Sequence, residues 1–418
     1  MAHERALRRW VGTVSAATLL AVGLGPARAQ QAPAAAPQAP AQAGRGGGGG
    51  LNDACGGRSA NPREACPNDV TKMIATLGLL PDKPPATPQK PRKVLIWSRI
   101  PSAGFQHSSI PLAAKMIEEM GKKTGAWTST TSWDVADITA ENLKQYDAIF
   151  LSNTTGTFLD DANDQAVTDA RRKAFQDFLT SGKGVAGIHA TGDSYHGRGR
   201  GAGRAAGAGA PGAAAPGAAP AGAAPAGAAP AGAPPVAAGG GGGRGTPPPP
   251  CSVNEAAKLE RPAEPLWPWW DEAIGGYFKF HWLYPTPITV KIDDPKSPLT
   301  AAFKGKSFNT IDEVYTFNDS SFSRERVHVL TSIDYNLMSD CDKGLEQYPR
   351  KDHDFALSWI QKVGQGRVFY QALGHHESIY YNNPNMLAHI LAGMQYTLGD
   401  LKADDSPSKK PSSKKTQH

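Results

Sequence analysis

The order of apolar and amphipathic segments between residues 93 and 189 restricts the fold more than any other feature of this sequence. Three short apolar runs, at 93–97, 147–152 and 185–189, are typical of strands that are buried on both faces. Between them, the segments 111–123 and 167–179 carry apolar residues at helical spacing. This alternation predicts an α/β fold with a mostly parallel sheet and helices on both faces.

Apolar runs after residue 250 extend the same pattern. They predict strands at 288–292, 327–332, 355–361 and 367–372, followed by a closing helix over 384–398. The segment 197–250 interrupts the pattern and consists almost entirely of Ala, Gly and Pro. Because it lacks the large apolar side chains that offset ordering entropy, we expect a disordered insert within a single domain at 91–400.

Both ends of the chain lie outside this domain. Residues 1–29 have a basic start, an apolar stretch and Ala27-Arg28-Ala29 at their end, which is the layout of a signal peptide. A membrane anchor is the alternative, but the apolar stretch is short and contains Gly and Ser. We therefore expect export to the periplasm or the extracellular space, with no transmembrane segment after cleavage. We interpret 30–90 as a low-complexity and linker segment, and 401–418 as a basic disordered tail.

The charge distribution argues against nucleic acid as a partner. The formal net charge is +6, but the two termini and the insert carry this excess, so the remaining residues are net acidic. A domain that binds nucleic acid concentrates Lys and Arg on its folded face. The sequence therefore predicts that nucleic acid is not a ligand.

The four cysteines are candidates for disulfide bonds, because an exported protein reaches an oxidising compartment. Cys55 and Cys66 are close in sequence, which favours a Cys55–Cys66 bond. Cys251 and Cys341 would then form a second bond across the domain. Spacing alone leaves other pairings open.

Four histidines occupy segments that the predicted sheet would bring to one edge. His107, His189 and His375 follow predicted strands, and His281 lies in a loop expected to cover the same edge. Open α/β sheets bind ligands beyond the carboxyl ends of their strands. Imidazole acts there as a general base or a metal ligand, and a carboxylate such as Glu377 fixes its tautomer. Three histidines with one carboxylate would suit Zn²⁺ or another divalent ion, and the four histidines are the candidate ligands, although no local metal-binding motif is present.

Several segments together resemble the ThuA-like (trehalose utilisation) family. They occur in family order across nearly the whole domain, and the set is specific although each segment alone is weak. Trp282 follows His281 where proline is expected, which is a departure from the family pattern. The segments are 104–109 (GFQHSS), 151–156 (LSNTTG), 182–191 (GKGVAGIHAT), 275–281 (GGYFKFH), 312–315 (DEVY) and 364–375 (GQGRVFYQALGH).

The resemblance implies a flavodoxin-like fold of the class I glutamine amidotransferase-like type. In amidotransferases a strand-to-helix elbow of sequence G-x-C-x-G exposes a thiolate nucleophile. Here the elbow at 187–191 reads GIHAT, so His189 stands at the position of the cysteine. We therefore expect no glutaminase activity. We predict catalytic roles for His189, His375 and Glu377, the last two forming an echo of the amidotransferase His-x-Glu motif.

Aromatic residues crowd 267–284 and favour a carbohydrate cleft, since aromatic rings stack on the C–H faces of sugars. A packed structural lid is the alternative. Asp312, Glu313 and Tyr315 are weaker candidates, because acidic residues before a strand are usually solvated. The predicted substrate-binding residues are His107, Asn153, Thr154, Asp193, Tyr277, His281 and Trp282.

Two functions are consistent with these features. The first is an enzyme acting on a sugar or an oxidised glycoside through histidine acid/base or metal-assisted chemistry. The second is a non-catalytic protein of the envelope that binds carbohydrate on a degenerate amidotransferase-like scaffold. Histidines that converge in a polar pocket would favour the first, whereas an open aromatic platform would favour the second.

Deleting residues 199–246 and leaving a short linker should change the thermal stability little, because the segment has almost nothing to bury. Thermal melts of the full chain and the deletion variant check this. A melting temperature lowered by more than about 3 °C, or roughly 1 kcal/mol for a domain of this size, would show that the segment packs on the domain.

Overall fold

The structure is a computed structural model that describes residues 69–101, 106–196, 265–346 and 350–409. Several sequence predictions concern residues outside these ranges, so they remain predictions. They concern the signal peptide at 1–29, the Cys55–Cys66 bond, Cys251 and the insert at 197–250. Across the described ranges, none of the helices combines the length and the apolar character needed to cross a bilayer.

Helices and strands alternate in the first half of the chain, and strands dominate the second half. Most of the predicted strands and the closing helix are present within a few residues of their expected bounds. The strand expected at 288–292 instead begins at Phe278, so His281 lies on a strand and not in a loop. In chain order the elements are α1 (Val70–Gly78), β1 (Lys93–Trp97), α2 (Ser109–Thr124), β2 (Thr128–Ser132), α3 (Ala140–Leu143), β3 (Ala148–Leu151), α4 (Gln165–Thr180), β4 (Gly184–Ile188), α5 (Pro268–Ile274), β5 (Phe278–Ile292), β6 (Phe308–Phe317), β7 (His328–Ile333), α6 (Asp340–Leu345), β8 (Ala356–Val363), β9 (Gly366–Gln371), α7 (Ser378–Tyr381) and α8 (Pro384–Thr397).

The nine strands of the described residues form one mixed sheet in the order β2-β1-β3-β4-β9-β8-β7-β5-β6. The pairs from β2 to β9 are parallel, and the pairs from β9 to β6 are antiparallel. The α/β class is confirmed, but the prediction of a mostly parallel sheet is not. A tight turn joins β8 to β9, where Val363 pairs with Gly366, and so short a connection permits only an antiparallel pair.

The inner strands β1, β3 and β4 of the parallel half are buried because helices cover them, whereas the edge strand β2 is partly exposed. β3 and β4 are buried along their whole length, as their continuous apolar sequences predict. Helix α2 packs on β1 and β2, whereas α8 packs on β4 and β9. Gly125 ends α2 in a left-handed conformation at φ 69°, and Asp164 caps α4 by accepting a hydrogen bond from the Val167 N–H.

Strand β6 is the main element that the sequence did not predict. It pairs with the long strand β5, and His281 of β5 lies opposite Tyr315 of β6. The last six residues of β6, from Asp312 to Phe317, are buried. This pairing places an acidic dipeptide, Asp312-Glu313, inside the domain instead of in solvent.

The folded region extends beyond the expected limits at both ends. Helix α1 lies within the predicted linker, and the amide of Ala86 donates to Gln395 Oε1 at 2.9 Å. At the other end, Ser408 bonds to β7 through its N–H, which donates to Val327 O, and its Oγ, which accepts from Val329 N–H. Residues 401–409 therefore differ from the expected free tail, and 410–418 lie outside the described residues.

Gly121→Ala should destabilise the protein by about 1–3 kcal/mol, although Ala is the better helix former. A Cβ at Gly121 would lie 2.2–2.6 Å from atoms of the Trp127 indole, whose Nε1 donates to Ile117 O. Gly344→Ala is the matched control, because Gly344 lies in α6 with nothing within 4 Å of the added Cβ. Equal unfolding free energies for both variants in urea would contradict this packing.

Candidate metal centre

Four buried side chains converge at the carboxyl edge of the parallel strands. His107 precedes α2, His189 directly follows β4, Glu313 lies on β6 and His375 follows β9. One nitrogen or oxygen atom from each side chain lies within 4.8 Å of those of the other three. The three imidazole rings lie 4.9–5.2 Å apart, centroid to centroid, and are nearly perpendicular to one another. We call these four residues the His/Glu cluster.

The conformation of His189 is fixed by its neighbours. Its φ of 42° lies in the left-handed region, which costs about 1–3 kcal/mol for a residue with a side chain. The Tyr370 hydroxyl donates to the His189 carbonyl oxygen at 2.7 Å, and His189 Nδ1 lies 2.8 Å from Ala372 O. Because a carbonyl oxygen only accepts, Nδ1 of the neutral ring carries the hydrogen. The lone pair is then on Nε2, which faces the cluster.

The distances around Glu313 are longer than hydrogen bonds. Glu313 Oε1 lies 3.5 Å from His189 Nε2 and 3.4 Å from His375 Nδ1, whereas N–H···O bonds are typically about 2.7–3.2 Å. Ligand atoms of a tetrahedral ion with bonds of about 2.1 Å lie about 3.4 Å apart. Within the described part of the chain, His189 Nε2 is buried and makes no hydrogen bond. The spacing therefore fits ligands around an ion better than it fits a hydrogen-bonded network.

Mutual electrostatics set the charge of the cluster. Burial alone would raise the pKa of Glu313, but His281 and His375 hold it well below its ordinary value. Burial, reinforced by His375 and His189, lowers the pKa of His107 well below its ordinary value. Burial would also lower the pKa of His281, but the interaction with the negatively charged Glu313 more than offsets this effect and raises the pKa of His281. At neutral pH, Glu313 is ionised and His107 is neutral, which are the forms that bind metals.

Asp312 braces the loop that carries His375. Its Oδ2 accepts a hydrogen bond from Gly374 N–H at 2.6 Å, and its Oδ1 accepts one from His376 N–H at 3.1 Å. These two amides flank His375 on either side. The carboxylate of Asp312 thus fixes the backbone that orients the His375 ring. Burial raises the pKa of Asp312.

The cluster differs from the predicted metal set in one member. The sequence predicted His281 alongside the other three histidines, and it ranked Glu313 as a weaker candidate. In the structure Glu313 joins the three histidines, and His281 stands beside them with Nδ1 3.4 Å from Glu313 Oε2. The overlooked signal was the run FNTIDEVYTF, whose β-branched and aromatic residues surround the acidic pair and mark a strand.

Asn153 and Thr154, two predicted substrate-binding residues, are buried and form hydrogen bonds to neighbouring segments of the protein. Asn153 is fully buried, and its Nδ2 donates to Ser109 Oγ at 3.0 Å and lies 3.4 Å from Gly374 O. Thr154 is also fully buried, and its carbonyl oxygen accepts a hydrogen bond from Ser194 Oγ at 2.9 Å. Both residues therefore hold the loops around the cluster together.

Asp193, another predicted substrate-binding residue, forms an ion pair at the start of the insert. Its Oδ1 lies 2.5 Å from His196 Nδ1, and its Oδ2 accepts a weak hydrogen bond from Thr155 Oγ1 at 3.5 Å. Burial alone would lower the pKa of His196, but the Asp193 carboxylate raises it to about 9. His196 is therefore protonated at neutral pH.

The aromatic residues at 267–284 do not form an open platform. Trp282 is 1 % exposed, and its Nε1 donates to Asp342 O at 2.7 Å, so it belongs to the core and cannot meet a sugar. Tyr277 is also buried. Trp267 and Trp270 stack on each other within an aromatic group, at a centroid distance of 6.2 Å. The packed-lid alternative describes these side chains better than a sugar platform does.

Glu377 lies outside the cluster, in contrast to its predicted pairing with the catalytic histidines. Its Oε2 lies 3.4 Å from Lys72 Nζ on α1 and 3.6 Å from His376 Nε2. Glu313 supplies the carboxylate that the sequence assigned to Glu377. Among the predicted cysteine pairs, Cys341 is disulfide-bonded, and its predicted partner, Cys251, lies outside the described residues.

The fold and the cluster define an α/β protein with a buried site of three histidines and one carboxylate at the carboxyl edge of its sheet. Comparison with known families then identifies the relatives. The chain belongs to the ThuA family, described as trehalose utilisation, whose family model matches residues 93–209 and 254–397, more than half of the chain. A search of curated proteins finds no match.

Solved structures that match this chain include two described as ThuA-like proteins. The one from Bacteroides uniformis ATCC 8492 is 17 % identical, with a TM-score of 0.44, covering 77 % of this chain and 98 % of its own. The one from Parabacteroides merdae ATCC 43184 is 11 % identical, with a TM-score of 0.39, covering 75 % and 92 %. A cytoplasmic protein from Salmonella typhimurium LT2 is 9 % identical, with a TM-score of 0.37, covering 74 % and 100 %.

Replacing His196 by Gln should lower the stability at pH 6 by about 1 kcal/mol, after allowance for solvent screening of this part-exposed pair. The pKa of His196 is raised from 6.5 to about 9, so its contribution is complete below pH 6.5 and is lost as the pH rises through 9. Urea unfolding of both proteins at pH 6 and pH 10 measures this difference. A destabilisation that stays the same at both pH values would contradict the ion pair.

Proposed function

We propose that this chain is an exported enzyme that acts on a sugar or an oxidised glycoside with the help of a divalent metal ion at the His/Glu cluster. The observation that carries this proposal is the convergence of His107, His189, Glu313 and His375 within 4.8 Å in a buried position. Buried charges and imidazoles are costly unless they pair with each other or coordinate a metal. Three histidines and one carboxylate are a donor set that Zn²⁺ and similar ions accept.

Two details support an ion over a purely structural network. The hydrogen on His189 Nδ1 is committed to Ala372 O, which is the arrangement that outer partners give to metal-binding histidines. The 3.4–3.5 Å separations around Glu313 match the edges of a tetrahedral ligand shell. A divalent ion held by these four side chains could act on a substrate oxygen or a water molecule only if it also bound that oxygen as a further ligand. It would then polarise the substrate oxygen or lower the pKa of the water molecule.

The surrounding residues of this chain supply position and access. Asp312 fixes the His375 loop through two amides, and the Tyr315 ring lies 4.2 Å from the His189 ring, which restricts its rotation. The His281 side chain remains 28 % exposed and touches Glu313. His281 is therefore the group that a ligand approaching the cluster from solvent would meet, and we assign it the transfer of a proton to or from that ligand.

Carbohydrate as the substrate class rests on the family, which is described as trehalose utilisation. Export rests on the signal-peptide layout of 1–29 and is supported by the disulfide at Cys341, because disulfides persist in oxidising compartments. The non-catalytic alternative required an open aromatic platform. Its main candidates, including Trp282, are packed in the core, so no specific contact favours that reading.

The test is metal binding by the full chain. After metal removal and titration with Zn²⁺, Mn²⁺, Co²⁺ and Ni²⁺, we expect about one equivalent of one ion to bind. His189→Ala and Glu313→Gln should each weaken binding at least about 100-fold, because changes to outer partners alone cost about 10–100-fold. His353→Ala is the matched control, since His353 is an exposed histidine outside the cluster and should bind like the parent.

Thermal melts of the metal-free variants show whether each one is folded. If the parent protein binds none of the four ions, the metal-centre proposal is wrong. It is also wrong if folded His189→Ala binds the ion as tightly as His353→Ala does. Where an ion binds, turnover of disaccharides and their keto derivatives should be lost in His189→Ala and Glu313→Gln and retained in His353→Ala.

A further inference from the structure

A cleft of about 840 Å³ borders the loop that carries His375, because His376 is one of its lining residues. This volume is within the usual range for small-molecule sites, about 300–1,000 Å³. Residues from β5, β6, α7 and the turn before α6 line it. Those that carry the argument are Tyr284, Asn309, Ile311, Leu337, His376 and Tyr381.

The lining of the cleft suits a neutral ligand rich in hydroxyl groups. Among the described lining residues there is no Lys or Arg, so a phosphate or carboxylate would find no counter-charge. Side-chain amides and hydroxyls dominate instead, with Asn309 and Asn382 exposed at the rim. Amides and hydroxyls both donate and accept, which is what sugar hydroxyls require.

The same cleft also holds apolar surface. Ile311 is 48 % exposed and Leu337 is 67 % exposed, and they are two of the five large apolar side chains exposed among the described residues. Together with Tyr284 and Tyr381, these two side chains give the cleft apolar surface between its polar groups. A sugar ring has this dual character, with C–H faces and a rim of hydroxyls.

The cleft and the cluster are connected through stacked rings. Tyr284 stacks on His376 at a centroid distance of 4.4 Å and on His375 at 6.1 Å. His376 lines the cleft, whereas its neighbour His375 belongs to the cluster. The cleft is therefore in contact with residues that adjoin the cluster.

We propose that this cleft binds the non-reacting part of a neutral glycoside, either its second sugar ring or its apolar aglycone. This inference rests on the proposed function, in which the cluster acts on the other part of the same molecule. Contacts to remote parts of a substrate supply binding energy that is used at the reacting centre. The cleft would thus make the protein select disaccharides and aryl glycosides over monosaccharides.

Calorimetric titration of the full chain tests this with trehalose, maltose, cellobiose, 4-nitrophenyl β-glucoside and glucose. At least one of the four glycosides should bind about tenfold more tightly than glucose. The double variant Asn309→Ala/Leu337→Ala should weaken that binding about tenfold or more. Asn163→Ala/Ile74→Ala is the matched control, because it removes an exposed Asn and an exposed apolar residue elsewhere and should stay within about twofold of the parent.

Metal content is measured on every variant, which separates the two proposals. If the cleft variant binds metal and also binds glycosides as tightly as the control does, the cleft proposal is wrong and the metal-centre proposal stands. Glycoside binding that depends on the cleft in a protein that takes up no metal supports the cleft and rejects the metal centre. Failure of all four glycosides to bind the parent overturns the cleft proposal.

Discussion

The burial of Glu313 is the constraint on which the site and much of the sheet depend. Removing a carboxylate from water costs several kcal/mol unless other groups compensate for it. Here the compensation comes from three histidines on separate segments, His189, His281 and His375, each within 3.5 Å of a Glu313 oxygen. These contacts require that β6 pairs with β5 and that the loops after β4 and β9 lie next to each other.

The two halves of the mixed sheet contribute different residues to the site. The parallel strands β4 and β9 deliver histidines from the loops at their carboxyl ends, as open α/β sheets generally do. The antiparallel half delivers the acids, because β6 carries Asp312 and Glu313 as neighbours. Asp312 binds backbone amides of the His375 loop, and Glu313 faces the imidazoles. Two adjacent carboxylates thus have different roles, one supporting the loop and the other facing the imidazoles.

The sequence predicted the parallel half and three members of the cluster, because continuous apolar runs mark buried strands and polar residues after them meet at one edge. It ranked Glu313 only as a weaker candidate, since an acidic pair in a short run looks solvated until its partners are known. It predicted most strands of the antiparallel half but not their orientation, because a short apolar run has the same pattern in either orientation. Trp282 shows the same difficulty, since an indole in an aromatic segment suits a core as well as a ligand site.

The cluster draws on residues from both sides of the 197–250 segment, and its members span positions 107 to 375 of the chain. Contacts between such distant residues form only after long loops have closed, which slows assembly. During synthesis, His107 and His189 emerge long before Glu313, and His375 emerges only after β9. A nascent or truncated chain that ends before β9 therefore has an incomplete ligand set. The centre therefore cannot be complete before the chain has been synthesised through His375.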